Sequence, residues 1–238
     1  MNSFVEMWNE FVKQFITLKG YENVLKGLWA TMQIAVIGLL IGIVIGTLIA
    51  VVRVMPKYKL IPRILDKICV CYIELFRGTP MVVQLLIGYW VLLPLMGITV
   101  NSGIPVAVIV FGLNSGAYVS EIMRGGINSV DAGQMEAGYC VGMSYLQIIR
   151  RIVLPQALRT AFPPLSNSLI SMVKDTSLAA NITLTEMFMV TQRIVARTYE
   201  PLALYIEVAL IYLIFSTVLT YLQRIGEKKL NSYGHKGE

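Results

Sequence analysis

Lys174 and Asp175 are two adjacent ionisable residues inside an otherwise apolar stretch. Charged groups in such segments are costly unless they are paired or face water, so they mark a pathway more often than a fold element. Neighbours on a helix point about 100° apart and do not pair well with each other, which leaves each of them free for another partner. Lys174 could take a carboxylate and Asp175 an ammonium, with Thr176 and Ser177 adding hydroxyls. That set fits a zwitterion. The competing reading is a structural ion pair with Glu74, Arg77 or Glu121. Glu74 and Arg77 are three apart and share a helix face, so they could pair with each other. Gly78 and Pro80 then disturb that helix and free backbone groups for protein, water or ligand. Arg77 is read equally well as a structural clamp or as a ligand contact.

These residues must be held by elements of a particular kind. Of the 238 residues 56% are hydrophobic and only 14% charged, which excludes an ordinary soluble domain. Five apolar stretches are long enough to cross a bilayer as helices, which takes about 20 residues each: roughly 25–52, 61–93 (long enough to be broken near Gly78 and Pro80), 104–127, 164–191 and 202–222. The first carries Gly38, Gly42 and Gly46 at four-residue spacing, a small-residue face for close helix contact. With the carboxy-terminus in the cytoplasm, thirteen basic residues fall inside and five outside. The positive-inside bias therefore gives five spans with the amino-terminus out. Inner-leaflet flanks account for the net charge of +6 without a nucleic-acid partner.

Residues 1–23 space Phe4, Trp8, Phe11 and Phe15 as on an amphipathic helix lying at the membrane surface. They lack the basic start and continuous apolar core of a cleavable signal. Three cysteines and one histidine, His235, in a polar tail over 226–238 give no disulfide framework and no metal site.

Between the third and fourth spans lies a polar, basic loop, 128–160. Asn128 or Ser129 can cap a short helix with Asp131 in its first turn, reaching Glu136. Gly142 permits a sharp turn, and Ser144 with Gln147 makes a capping box. Leu146, Ile149, Ile152 and Val153 form an apolar face with Arg150 and Arg151 to the other side, and Leu154-Pro155 ends the helix. A capped helix with an apolar stripe and a basic rim suits insertion into a groove on a partner protein.

The run Glu136-Ala137-Gly138, then Gly142, then Leu154-Pro155 resembles the EAA loop of permease subunits of ATP-binding-cassette (ABC) importers, with Gly138 where the pattern has alanine. The segments Glu74 to Pro80 and Lys174 to Leu178 are similar to the polar amino acid branch of that family, and the resemblance covers almost the whole chain. It implies an all-α membrane protein of the type I importer permease fold, with 24–225 as the permease domain. It also implies translocation of a polar L-amino acid across a bacterial cytoplasmic membrane. Glu136, Ala137, Gly138, Gly142, Leu146, Ile149, Arg150, Leu154 and Pro155 would be the coupling positions. The implied partners are an ATPase dimer, a second permease subunit (same or homologous) and an extracytoplasmic substrate-binding protein. No phosphate-binding glycine-lysine loop occurs in the sequence, so ATP and Mg would belong to the separate ATPase, and this chain would have no cofactor and catalyse nothing. A stand-alone secondary transporter or channel is the alternative. Against it, the five spans show no inverted repeat and a docking loop would have no purpose.

Overall fold

The computed structural model describes residues 20–199 and 201–234, with positions 5, 8, 9, 12 and 13 of the preceding stretch. The amphipathic helix expected over 1–23 therefore lies largely outside the described residues, as does His235. Among those described, all regular structure is helical. α1 is Gly20–Val54, α2 Leu60–Gly78, α3 Met81–Leu95, α4 Ile104–Asn128, α5 Ala132–Cys140, α6 Tyr145–Ile148, α7 Leu154–Asp175, α8 Met187–Thr198 and α9 Pro201–Gly234.

Among the described residues, three helices are long and apolar enough to cross a membrane: α1, α4 and the 204–230 portion of α9. A fourth candidate is α2 with α3, interrupted at Thr79-Pro80, as expected of a segment carrying Gly78 and Pro80. Pro80 supplies no N–H for the Phe76 carbonyl, which accepts from Asn114 Nδ2 at 3.2 Å, while Thr79 Oγ1 donates to the Leu75 carbonyl at 2.8 Å.

The stretch expected to be one span over 164–191 is not one helix. α7 starts ten residues earlier, at Leu154, and stops at Asp175. A tighter 3₁₀ segment covers Thr176–Ile182, and Thr183 turns the chain with φ of 58°. The cause is local. The side chains of Thr176, Ser177 and Asn181 donate to the carbonyls of Val173, Lys174 and Leu178 at 2.7, 2.8 and 2.9 Å. Such side chains compete with the α-helical ladder for its acceptors. Lys174 consequently stands in the last turn of a helix, not at its middle.

The residues cluster into two compact units. In the first (Met1–Ile37, Met81–Val110, Ile170–Thr220), Val24, Met187, Val190 and Val208 form a buried cluster. Leu28, Ile194, Ile211 and Tyr212 pack against it. Glu186, fully buried, caps α8 by accepting from Phe188 N at 2.8 Å and Met189 N at 2.6 Å. These bonds satisfy donors that a helix start leaves orphaned.

In the second unit (Gly38–Pro80, Phe111–Leu169, Tyr221–Glu238), the expected glycine face of α1 lies against α4. A methyl group on Gly46 would stand 2.7 Å from Ser120 N, and one on Gly42 would run into Ser115 Oγ. Backbone cannot yield at such distances as a side-chain end can, and overpacking costs about 1–3 kcal/mol or more. Gly46→Leu is therefore expected to lower the thermal transition of the purified chain by several degrees. A size-exclusion thermal-melt assay in detergent checks it, with an unchanged transition contradicting the close approach.

Candidate functional site

The loop after α4 is a helix–turn–helix built within the second unit. Its first cap is neither Asn128, which ends α4, nor Ser129. Asp131 itself caps α5, its Oδ1 accepting from Gly133 N at 2.8 Å, because α4 runs on to consume Asn128. The turn follows from Gly142, whose φ of +78° is a region side chains avoid. Gly142 N donates to the Tyr139 carbonyl at 2.9 Å and Met143 N to that of Gly138 at 3.0 Å, closing α5. The expected capping box is present, with Ser144 N donating to Gln147 Oε1 at 2.8 Å.

Leu154-Pro155 does not end the helix. The chain widens into a π-helical turn over Ile149–Val153 and continues as α7, with Pro155 at its second position. The proline therefore sits inside a continuous helical run, just past the widened turn that interrupts the regular ladder, where sequence reasoning made it terminate.

The expected coupling residues divide by exposure. Ile149 and Val153 are buried, and so is Ile148, which the sequence reading passed over. Burying each such side chain stabilises by about 1.5–3 kcal/mol, enough to fix the loop on its own unit. Gly138 is buried because a methyl group there would lie 2.8 Å from Ile148 Cγ1. Its departure from alanine is thus a packing requirement of α6. Glu136, Ala137, Arg150 and Pro155 are exposed and Leu154 is half-buried. Leu146 is 66% exposed, joined by Val141 at 77% and by Tyr139. Neither of the last two was singled out from sequence. Ile148 is fully buried and β-branched, so its Cγ1 has little room to yield, and Gly138→Ala should reduce coupled transport several-fold. Adding Ile148→Ala, which removes both Cγ1 and Cδ1, should restore part of it, and failure of that rescue in a transport assay would show that the two positions do not interact.

Tyr145 ties this platform to α1, its hydroxyl donating to the Val51 carbonyl at 3.0 Å. Burial, and then the nearby Tyr139 phenol, push the Tyr145 hydroxyl up to about 12. Its ordinary value is about 10. Folded Tyr145 therefore stays the protonated donor through neutral and moderately alkaline pH. The stability it adds is complete below pH about 10 and is lost only as pH rises toward about 12. Beside it, Arg53 pairs with Glu121 Oε1 and Arg124 Nη2 pairs with Glu121 Oε2 at 2.7 Å. Glu121 is thus held by two guanidinium groups of its own unit. Arg77 lies over the Tyr118 ring, 5.3 Å from its centroid, in a cation–π contact. No ion pair joins Arg77 to Glu74 among the described residues, and both side chains are exposed.

The first unit holds the other expected group. Lys174 and Ser177 line a wide-open cavity of about 720 Å³ together with Phe188, Tyr205, Tyr212 and Ser216. The Phe188 and Tyr205 rings stack with centroids 6.2 Å apart. Tyr212 Oη is 3.4 Å from Glu186 Oε2. Asp175 is exposed and is not part of this lining, and Thr176 is fully buried, its hydroxyl donating to the Val173 carbonyl and hydrogen-bonded to Tyr212. Lys174 is the only charged side chain among the lining residues. The volume is that of a small-molecule site, and the chemistry is one cation, hydroxyls and aromatic faces.

A family model described as "Binding-protein-dependent transport system inner membrane component" matches residues 38–232. The chain belongs to this family. It is 40% identical over 208 residues to the L-cystine transport system permease protein TcyB of Bacillus subtilis, covering 87% of this chain and 86% of that one. It is 36% identical over 206 residues to the glutamine transport system permease protein GlnP of Escherichia coli, covering 87% and 92%. A solved amino acid ABC transporter with histidines superposes with a TM-score of 0.77 at 30% identity, covering 90% of this chain and 96% of that one. The MetNI methionine ABC transporter superposes with a TM-score of 0.72 over 87% and 95%. At 16% identity that likeness bears on the fold alone. The family member is accordingly a multi-pass permease subunit of the ABC importer type, grouped with the amino acid permeases and carrying no catalytic role of its own. Its class works in general with an ATPase and a substrate-binding protein.

Proposed function

We propose that this chain is the membrane-spanning subunit through which an ATP-driven importer moves a polar L-amino acid into the bacterial cytoplasm. Five spans place the amino-terminus outside and the carboxy-terminus inside, the fourth (164–191) being broken after Asp175. Two permease subunits, identical or homologous, form the path. An ATPase dimer docks on their 128–160 loops, and an extracytoplasmic binding protein delivers substrate. ATP and Mg stay with the ATPase.

The observation that carries this reading is the loop's division of labour. Ile148, Ile149 and Val153 are buried while Tyr139, Val141 and Leu146 are exposed around Glu136. A helix that packed only on its own subunit would have no use for that second apolar face. Closure of the ATPase subunits would push on Leu146 and Val141. Tyr145 would pass the movement to α1 through Val51, and α7 would carry it toward Lys174 at its far end.

Substrate would place its carboxylate on Lys174. Its ammonium would lie over the Tyr205 or Tyr212 ring, since aromatic faces attract cations and no carboxylate lines the cavity. Asp175, Glu74, Arg77 and Glu121 would act from elsewhere along the path or as structural support.

A photo-reactive residue placed at Leu146 should crosslink to a co-expressed ATPase subunit, and one at Ile148 should not. Adducts of equal yield from both positions, or none from Leu146 in an assembled complex, would contradict the docking face. Tyr145→Phe is expected to leave assembly and ATP hydrolysis intact while lowering uptake several-fold, because one hydrogen bond contributes about 0.5–1.5 kcal/mol. Unchanged uptake per complex would remove Tyr145 from the relay.

A further inference from the structure

α2 begins with a face that its own unit leaves uncovered. Leu60, Ile61, Ile64 and Ile68 are 71, 70, 48 and 61% exposed. At 100° per residue they share one arc of about 100°. The far side of the helix carries buried Ile73 and Asp66, which pairs with Lys57 at 2.6 Å. Along one border of the apolar arc stand Arg63 and Lys67, one helical turn apart, and Lys59 immediately precedes the helix. Arg63 Nε donates to the Lys57 carbonyl at 2.9 Å, which holds its guanidinium at that border. Lys59, Arg63 and Lys67 are exposed, and none of them has an ion-pair partner among the described residues. Arg53 and Lys57, on the inner side, both do.

We propose that this face is a binding surface for anionic phospholipid, with the apolar arc against acyl chains and Lys59, Arg63 and Lys67 against the head-group phosphate. Charge complementarity selects this occupant. The one acidic neighbour, Asp66, is turned to the far side and paired with Lys57, so three unpaired cations at the end of an apolar helix face match a head group of net negative charge. A zwitterionic head group brings its own cation and gains less. A second copy docked two-fold on the same arc would set each basic border beside its equivalent, an unfavourable arrangement in a self-complementary interface. Long basic side chains also reach from an apolar face to a polar boundary with their stems still covered. The inference needs only the membrane location of the chain, not its substrate or its ATPase.

The test is lipid retention by the full-length chain. It is reconstituted in bilayers of equal parts phosphatidylglycerol and phosphatidylcholine, re-extracted in mild detergent, and its bound lipid quantified by mass. The unaltered chain should be enriched in phosphatidylglycerol. Each basic group near an anionic surface contributes roughly fivefold, so the triple variant Lys59→Gln, Arg63→Gln, Lys67→Gln should lose at least about tenfold of that preference. The charge-conserving triple Lys59→Arg, Arg63→Lys, Lys67→Arg should keep it. Equal phosphatidylglycerol enrichment in the unaltered and neutralised chains would overturn the proposal. So would a change of oligomeric size in the neutralised variant with lipid preference unchanged, which would assign the face to a second copy. Neither readout involves transport, so failure here is distinct from failure of the importer reading.

Discussion

Replacing Gly142 by valine is expected to leave the complex assembled and its ATPase active while uptake falls at least about tenfold. The turn at Gly142 has φ of +78° and open space around the α-carbon, so the penalty is conformational and not a clash. A left-handed backbone costs an ordinary side chain about 1–2 kcal/mol, and a β-branched one more. That is too little to unfold a helical membrane protein. It is enough to open the turn that sets α6 against Gly138 and aims Leu146 outward. Gly142→Asn is the control, since asparagine tolerates positive φ, and it should retain most of the activity. Uptake per assembled complex would be measured alongside ATP hydrolysis. Valine and asparagine variants that both transport normally would show that the turn's conformation does not matter to coupling.

The second large effect is expected at Lys174. Lys174→Met keeps the length and apolar stem but removes the only charge among the residues lining the cavity. A hydrogen bond to a charged group is worth about 1.5–3 kcal/mol, roughly 10- to 150-fold in affinity. Uptake measured below saturation should fall by that factor, with assembly and the crosslink from Leu146 unchanged. Lys174→Arg should recover part of it, because the cation is retained while its geometry changes. If Lys174→Met transports normally, the carboxylate contact is wrong and the cavity is a packing defect or a site for something else.

Sequence reasoning reached the elements better than their ends. Long apolar runs made α1 and α4 readable to within a few residues at each end, because composition over 20 or more positions averages out local exceptions. Where boundaries failed, local hydrogen bonding decided. Thr176, Ser177 and Asn181 diverted the ladder at the end of α7, so an apolar run that looked continuous was not one helix. Pro155 was read as a stop although a widened turn just before a proline lets a helix run on through it. The π-helical turn before it has no simple sequence signature.

At the loop, periodicity found the apolar residues but could not say which of two apolar faces pointed inward. That depended on Ile148 meeting Gly138, a contact between two helices. At the cavity, Lys174 and Ser177 were legible as polar residues in an apolar stretch. Phe188, Tyr205, Tyr212 and Ser216 were not, because they come from two later helices and look like ordinary packing residues until the chain folds. Glu186 escaped notice for a different reason. Helix caps are read from serine, threonine, aspartate and asparagine, and Thr185 stood next to it as the conventional choice.

The central claim is ATP-driven import of a polar amino acid through this chain. It is tested most directly by reconstituting the chain with its ATPase in vesicles, offering binding protein and a panel of labelled amino acids, and following uptake with and without ATP. The account predicts accumulation of one or a few polar amino acids that needs ATP and disappears with Lys174→Met. Uptake by this chain without any ATPase, driven by an ion gradient, would contradict it.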